Sequence, residues 1–472
     1  MLGYFLMPHP PIIVHEVGKG KEVEVDNTVK ACDEAARRIA SLKPDTLILI
    51  TPHGAMFRDA MAMVTERSIS GNLAQFNAAN VKFNYHINLD LTRKIIKYAD
   101  EENLNVAALN KENAYVYGVD LELDHGAMVP LYFIEKYGKY KLVHITYGLL
   151  SPLELAKFGT VINRAVEDSK ERAVLVASGD LSHRLTKDGP YPYTPLGAEF
   201  DRELISILQS GKLEGLFNMD KVLVNESGQC GLRSLYVLAG AINSNEAKAE
   251  LLSYEGPLGV GYGIMEFKGK ETNLYDKLLQ KSEMENQRRM KEGNPYTILA
   301  RKNLNSYFDR GTLLTIDDVK DEELLNDKKG VFVSLKINGE LRGCIGTIAP
   351  VTDTIAEEII RNSLSAAIND PRFSPLTQEE LKEVDISVDL LHEPEKTTFE
   401  ELNPKEYGVI VSFGAKRGLL LPNLEGIDTS EQQVAIAMEK GNIRPSDNYV
   451  LERFKVERFK ECEDDEQGSN VL

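Results

Sequence analysis

Cysteine is scarce in this chain. Cys32, Cys230, Cys344 and Cys462 are scattered and form no C-x-x-C pair, which excludes a disulfide framework and a zinc ribbon. Long apolar runs are missing too. None approaches the ~18 residues that a membrane span needs, so no membrane partner is expected. Positive charge is outweighed: the formal net charge is −18, and Glu461-Cys462-Glu463-Asp464-Asp465-Glu466 forms an acidic tail. Such a surface repels phosphate backbones and disfavours nucleic-acid binding. The first residues, Met1 to Met7, have no basic region and run directly into Pro8-His9-Pro10-Pro11. They read as a buried strand rather than a signal peptide, and the cytoplasm is the expected compartment.

The remaining composition is that of a globular protein. With 472 residues, 42% of them hydrophobic and 27% charged, the chain is long enough for two or three domains with real cores. Its eight histidines are uneven: only His392 lies after residue 184, which places any imidazole chemistry in the first half.

That first half alternates helix and strand. Asn27 to Leu42 carries Val29, Cys32, Ala35, Ala36 and Ile39 on one helical face, and Pro44-Asp45 breaks it. Thr46–Ile50, Lys141–Ile145 and Ala173–Ala177 are short continuous apolar runs, as expected of strands covered on both faces. Arg233 to Ile242 reads as a helix and Gly259 to Phe267 as a closing strand. The expected fold is α/β, with a mostly buried mixed sheet flanked by helices, over residues 1–268.

Residues 269–293 are charged and sparsely apolar, a solvated helix or linker. From 294 to 472 the pattern becomes α+β. Asn294-Pro295 starts a helix, and Val331–Ile337, Asn338-Gly339 and Glu340–Ile345 spell a hairpin. Thr354–Ile368 is a helix, Val384–Leu391 alternates like a strand, and Gly408–Phe413 with Gly418–Leu421 forms a second hairpin. Thr429 with Gln432 fits a capping box whose helix Gly441 ends.

Three histidines follow strand ends: His9 after Gly3–Met7, His53 in Thr51-Pro52-His53-Gly54, and His183 in Ser178-Gly179-Asp180-Leu181-Ser182-His183. Ligands bind outside the carboxyl ends of strands in open α/β sheets. His125 joins them in Asp124-His125-Gly126. An iron site of two imidazoles and one carboxylate would find its third donor in Glu226, or in Cys230 four residues later, since a helical turn there would face both the same way. A thiolate would shift preference toward copper or zinc. His15, His86 and His144 read as structural.

These motifs, together with Cys230-Gly231-Leu232-Arg233, resemble the class III extradiol dioxygenase (LigB)/Memo superfamily over roughly residues 1–268. The resemblance implies a metal at His9 and His53, most simply Fe(II), with Glu226 or, as in Memo-like members, Cys230 third. It further implies His183 as acid/base, His125 lining the pocket, and a small, possibly aromatic diol as substrate. In the second half, Leu341-Arg342-Gly343-Cys344-Ile345-Gly346-Thr347, Asn369-Asp370-Pro371-Arg372-Phe373 and Val384-Asp385-Ile386-Ser387-Val388 resemble the AMMECR family, which implies no defined activity. The tandem resembles the fused component of the AmmeMemoRadiSam system, implying a separate radical SAM enzyme as partner. Arg342 beside Cys344 would favour a thiolate, but a buried strand cysteine between glycines is the simpler expectation. Arg342, Arg372 and Arg417 could frame an anion pocket, although exposed arginines are the commoner case.

Overall fold

Continuous apolar runs become fully buried strands. The computed structural model describes residues 1–244, 246–269, 272–337, 339–424 and 426–461. It divides into two compact units, one ending at Lys281 and one starting at Ser282. The turn residue Asn338, Cys462 and the acidic tail beyond Glu461 lie outside the described residues.

The first unit contains β1 (Gly3–Met7), β2 (Thr46–Thr51), β3 (Met61–Val64), β4 (Ser68–Leu73), β5 (Ala78–His86), β6 (Val106–Leu109), β7 (Lys141–Thr146), β8 (Ala173–Ser178), β9 (Lys248–Glu255) and β10 (Tyr262–Lys268). Eight form one sheet in the order β6-β3-β7-β2-β8-β1-β10-β9, and β4 pairs with β5 as a separate hairpin. The neighbours β7, β2, β8 and β1 run parallel, whereas β10 and β9 close the sheet antiparallel.

Both faces are covered, so the strands read as unbroken apolar runs although their side chains still alternate. Leu6, Ile48, Ile50, Leu175 and Ala177 enter one core with the helices Pro152–Ser169 and Leu232–Ile242. Phe5, Met7, Leu47, Leu49, Val174 and Val176 enter the other, with the helices Asp26–Ser41 and His125–Ile134. Met7 pairs with Ser178, and Ile50 with Ala177. The carboxyl ends of β1, β2 and β8 therefore lie along one sheet edge.

The second unit is α+β, as its sequence pattern implies. Its strands are β11 (Gly330–Ile337), β12 (Glu340–Gly346), β13 (Asp385–Leu391), β14 (Glu395–Lys396), β15 (Gly408–Phe413), β16 (Lys416–Leu420), β17 (Val450–Phe454) and β18 (Val456–Lys460). They form two antiparallel sheets, β12-β11-β13-β18 and β14-β17-β15-β16. Local signals act as written: Asn294 caps the helix Pro295–Arg310 through the Thr297 N–H at 3.0 Å. The Thr429–Gln432 box caps Ser430–Lys440, and Gly441 ends it.

The charged segment between the units is a helix, Leu274–Glu292. Leu274 and Leu278 belong to the core of the first unit, while Arg289 donates to the Val384 carbonyl of the second at 2.8 Å. The division between Lys281 and Ser282 thus falls inside this helix.

One buried ion pair ties Glu461, the last described residue, into the second unit. Arg301 is fully buried and donates to both carboxylate oxygens of Glu461, at 2.8 and 2.5 Å, and to the Leu381 and Val384 carbonyls at 2.7 and 2.5 Å. Glu461 in turn accepts the Ile386 N–H at 2.8 Å. Removing one partner of such a pair strands a buried charge, which costs about 3–5 kcal/mol. Glu461→Ala should therefore lower the urea midpoint of the second unit and leave that of the first unchanged. An unchanged second-unit midpoint would show that the pair contributes nothing.

Candidate metal centre

Three imidazoles meet at the sheet edge. His9 follows β1, His53 follows β2, and His125 opens the helix His125–Ile134. One donor nitrogen from each lies within 4.8 Å of the other two. His9 Nε2 stands 3.0 Å from His53 Nε2. The His53 and His125 rings stack at 4.3 Å between centroids, with the His9 ring edge-on to both. Among the described residues this is the group of histidine, cysteine and carboxylate side chains placed to hold a metal.

The neighbouring strands and loops hold these rings in place. His9 Nδ1 lies 2.9 Å from the Ser178 hydroxyl, and its backbone N–H donates to Asp180 Oδ1 at 2.8 Å. Asp124 caps the helix that begins with His125. Its carboxylate accepts from the Thr51 hydroxyl (2.5 Å), the Ala127 N–H (3.1 Å) and His144 Nε2 (3.2 Å). His144, inside β7, is thus a support for the His125 turn. His15 pairs with Glu22 and His392 with Glu457, both at exposed positions.

Cys230 reaches the group. Its Sγ is 3.6 Å from His9 Nε2, and it accepts the Asp180 N–H at 3.3 Å. The close approach needs two glycines: a Cβ on Gly179 would overlap the Gly231 Cα. Glu226 does not join the group. It sits on a separate short helix, Lys221–Ser227, and pairs with Arg184 at 3.2 Å. The expectation that Glu226 and Cys230 share a helix face fails because Gly228, at φ 63°, ends that helix in the left-handed region. The helix Leu232–Ile242 begins only afterwards.

His183 lies within electrostatic reach of Asp180 and His53. Its Nε2 is buried without a hydrogen-bond partner, while Tyr191, half exposed, stacks on its ring at 5.0 Å. Phe76 packs edge-on against His125 at 5.5 Å. Neither aromatic stood out in the sequence, since neither belongs to a histidine motif. Ser178, Asp124 and Asp180 stood inside the quoted motifs, but their partners lie far along the chain.

Burial is the largest influence on the imidazoles of the pocket. Burial pushes the His9, His53 and His183 imidazoles below their usual range, and the neighbouring imidazoles add to this at His9 and His183. His125 falls to about 3 for the same reasons. Burial raises Asp180 to about 6. Burial would raise Asp124 as well, but His144 and the Thr51 hydroxyl hold it at about 2. Burial also lifts the Cys230 thiol well above its ordinary value. At neutral pH these side chains are therefore neutral imidazoles and a thiol, with Asp124 and Asp180 as carboxylates beside them.

Among its described residues the second unit offers no comparable centre. Burial raises the Cys344 thiol despite nearby Arg372, and Ser334 donates to it at 3.2 Å. Arg342, Arg372 and Arg417 are each paired with a carboxylate, Glu380, Asp370 and Glu452 respectively.

These shifts set the acid response. The unfolded chain protonates His125 below about 6.5, whereas the native imidazole resists until about 3. Stability therefore falls as pH drops through that window. Asp180 acts oppositely between its ordinary 3.8 and about 6, where the native carboxyl already holds its proton. His125→Asn should flatten the decline in urea midpoint of the metal-free protein between pH 6.5 and 4.5. An unaltered pH profile would remove His125 from the balance.

Both halves of the chain match known families. Residues 3–265 match the family described as the catalytic LigB subunit of aromatic ring-opening dioxygenase, and residues 297–462 match AMMECR1. Protein CA_C1420 of Clostridium acetobutylicum is 49% identical over 463 residues, spanning 97% of this chain and 99% of its own length. A Thermotoga maritima protein is 44% identical over 170 residues, 35% of this chain and 98% of its own. Among solved structures, PH0010 of Pyrococcus horikoshii matches at 28% identity and a TM-score of 0.33, covering 36% of this chain and 90% of its own. With the LigB match spanning more than half of its length and an AMMECR1 domain following, the chain belongs to the family of the LigB catalytic subunit of aromatic ring-opening dioxygenases.

Proposed function

We propose that the first unit is a nonheme-metal oxidoreductase of the extradiol dioxygenase class. It would act on a small aromatic diol, beside a radical SAM enzyme as partner. The observation that carries this reading is the meeting of His9, His53 and His125 nitrogens within 4.8 Å at the sheet edge. The donor set fits a divalent cation: neutral imidazoles, with the His9 Nδ1 already engaged and its Nε2 facing the group. Fe(II) is the ion proposed, with zinc or copper as alternatives given three nitrogens and a nearby thiol. When bound, such an ion supplies a Lewis acid and a redox centre for the diol and dioxygen.

The chain's own groups do the rest. Phe76 and Tyr191, packed against His125 and His183, give the site aromatic surface of the kind a flat ring stacks on. His183, kept neutral by burial, is free at Nε2 to take a proton from a substrate hydroxyl. Asp180 bridges the strand ends, holding the His9 N–H and, through its carbonyl, the Gly231 N–H at 2.9 Å.

A second reading is supported by Cys230 standing 3.6 Å from His9 Nε2 while Glu226 is held by Arg184. A thiol at that distance, beside Asp180 Oδ2 at 3.8 Å from the same nitrogen, suits a Memo-like metal-binding scaffold that presents a peptide or substrate to a partner enzyme.

Metal content of anaerobically purified protein separates the parts of this proposal. His53→Ala should abolish stoichiometric metal, and Glu226→Ala and His144→Ala should keep it. Equal metal in wild type and His53→Ala would sink the assignment. With Fe(II), oxygen and a panel of catechols, His183→Ala should keep the metal and lose about 10²–10⁴-fold in rate. No ring-opened product from wild type across the panel would favour the scaffold.

A further inference from the structure

The helix that begins with His125 contains a proline, Pro130. Proline has no N–H, so the carbonyl four residues earlier, that of Gly126, receives no helical hydrogen bond. Ser178, the last residue of β8, fills the gap: its hydroxyl donates to the Gly126 carbonyl at 2.5 Å. A serine hydroxyl has one proton. With that proton committed, the same oxygen can only accept from His9 Nδ1, 2.9 Å away. The proton of neutral His9 therefore sits on Nδ1, and Nε2 presents its lone pair to His53 Nε2 at 3.0 Å and Cys230 Sγ at 3.6 Å.

We infer that Ser178 is a positioning residue that locks His9 in the tautomer whose Nε2 binds metal, and that the missing N–H of Pro130 sets the direction of this hydroxyl. The inference rests on the metal-centre reading for its consequence, but not for the tautomer itself. Ser178 is fully buried, so no solvent molecule substitutes for its oxygen without rearrangement. His9 thus offers Nε2 to an ion as it stands. Supporting hydrogen bonds of this kind typically contribute about 10- to 100-fold to metal affinity.

The test uses full-length, metal-free protein with ¹⁵N-labelled histidine, the His9 signals being those absent from His9→Gln. Wild type should show His9 protonated at Nδ1, and Ser178→Ala should show a mixture or the Nε2–H form. Zinc affinity, measured against a chromophoric chelator, should fall about 10- to 100-fold in Ser178→Ala and recover in Ser178→Thr, which restores the hydroxyl. A wild-type His9 protonated at Nε2 overturns the inference, and that measurement needs no variant to fold. A folded Ser178→Ala protein with the wild-type tautomer and zinc affinity overturns it equally. If the tautomers behave as stated but wild type binds no zinc, the hold of Ser178 on His9 stands and the metal-centre reading fails.

Discussion

Everything in the first unit depends on the parallel register of β1, β8 and β2. Met7 opposite Ser178, and Ala177 opposite Ile50, bring three strand ends to one line, so short loops deliver His9, Asp180 and His53 to one place. A shift of one residue in any strand would turn its apolar set toward the wrong core, because alternate residues feed different helical layers. The two cores therefore guard the geometry of the site although most of their residues never touch it.

A site built from imidazoles solves an electrostatic problem for a chain of net charge −18. A cluster of carboxylates at the same depth would repel itself and raise its own pKa values. Neutral rings stack and pack edge-on without repulsion. The one strongly acidic group beside them, Asp124, is compensated by His144 and Thr51 and serves to fix the His125 turn.

Much of this was legible in the sequence, and the limits have physical causes. β2 and β8 were readable because burial on both faces leaves an unbroken apolar run, and His9 and His53 were readable because each closely follows such a run. The short strands Met61–Val64 and Val106–Leu109 were not, since four residues carry too little pattern. The shared face expected of Glu226 and Cys230 rested on an unbroken helical turn, and the left-handed Gly228 between them breaks it. His125 joins His9 and His53 through Asp124, which is pinned by Thr51, 73 residues away in sequence. No local pattern records that. The clamp between Arg301 and Glu461 was invisible for the same reason, its halves lying 160 residues apart.

The glycine pair beside Cys230 has a consequence for how such sites diverge. Gly179 and Gly231 touch backbone to backbone, so a Cβ at Gly179 would push the two loops apart. Cys230, next to Gly231, carries its thiol toward His9. The scaffold is thus tight where the chain crosses, beside the place where a donor is presented. A single exchange at 230 can alter the ligand set while the fold stays fixed, which lets one architecture explore different ions in single mutational steps.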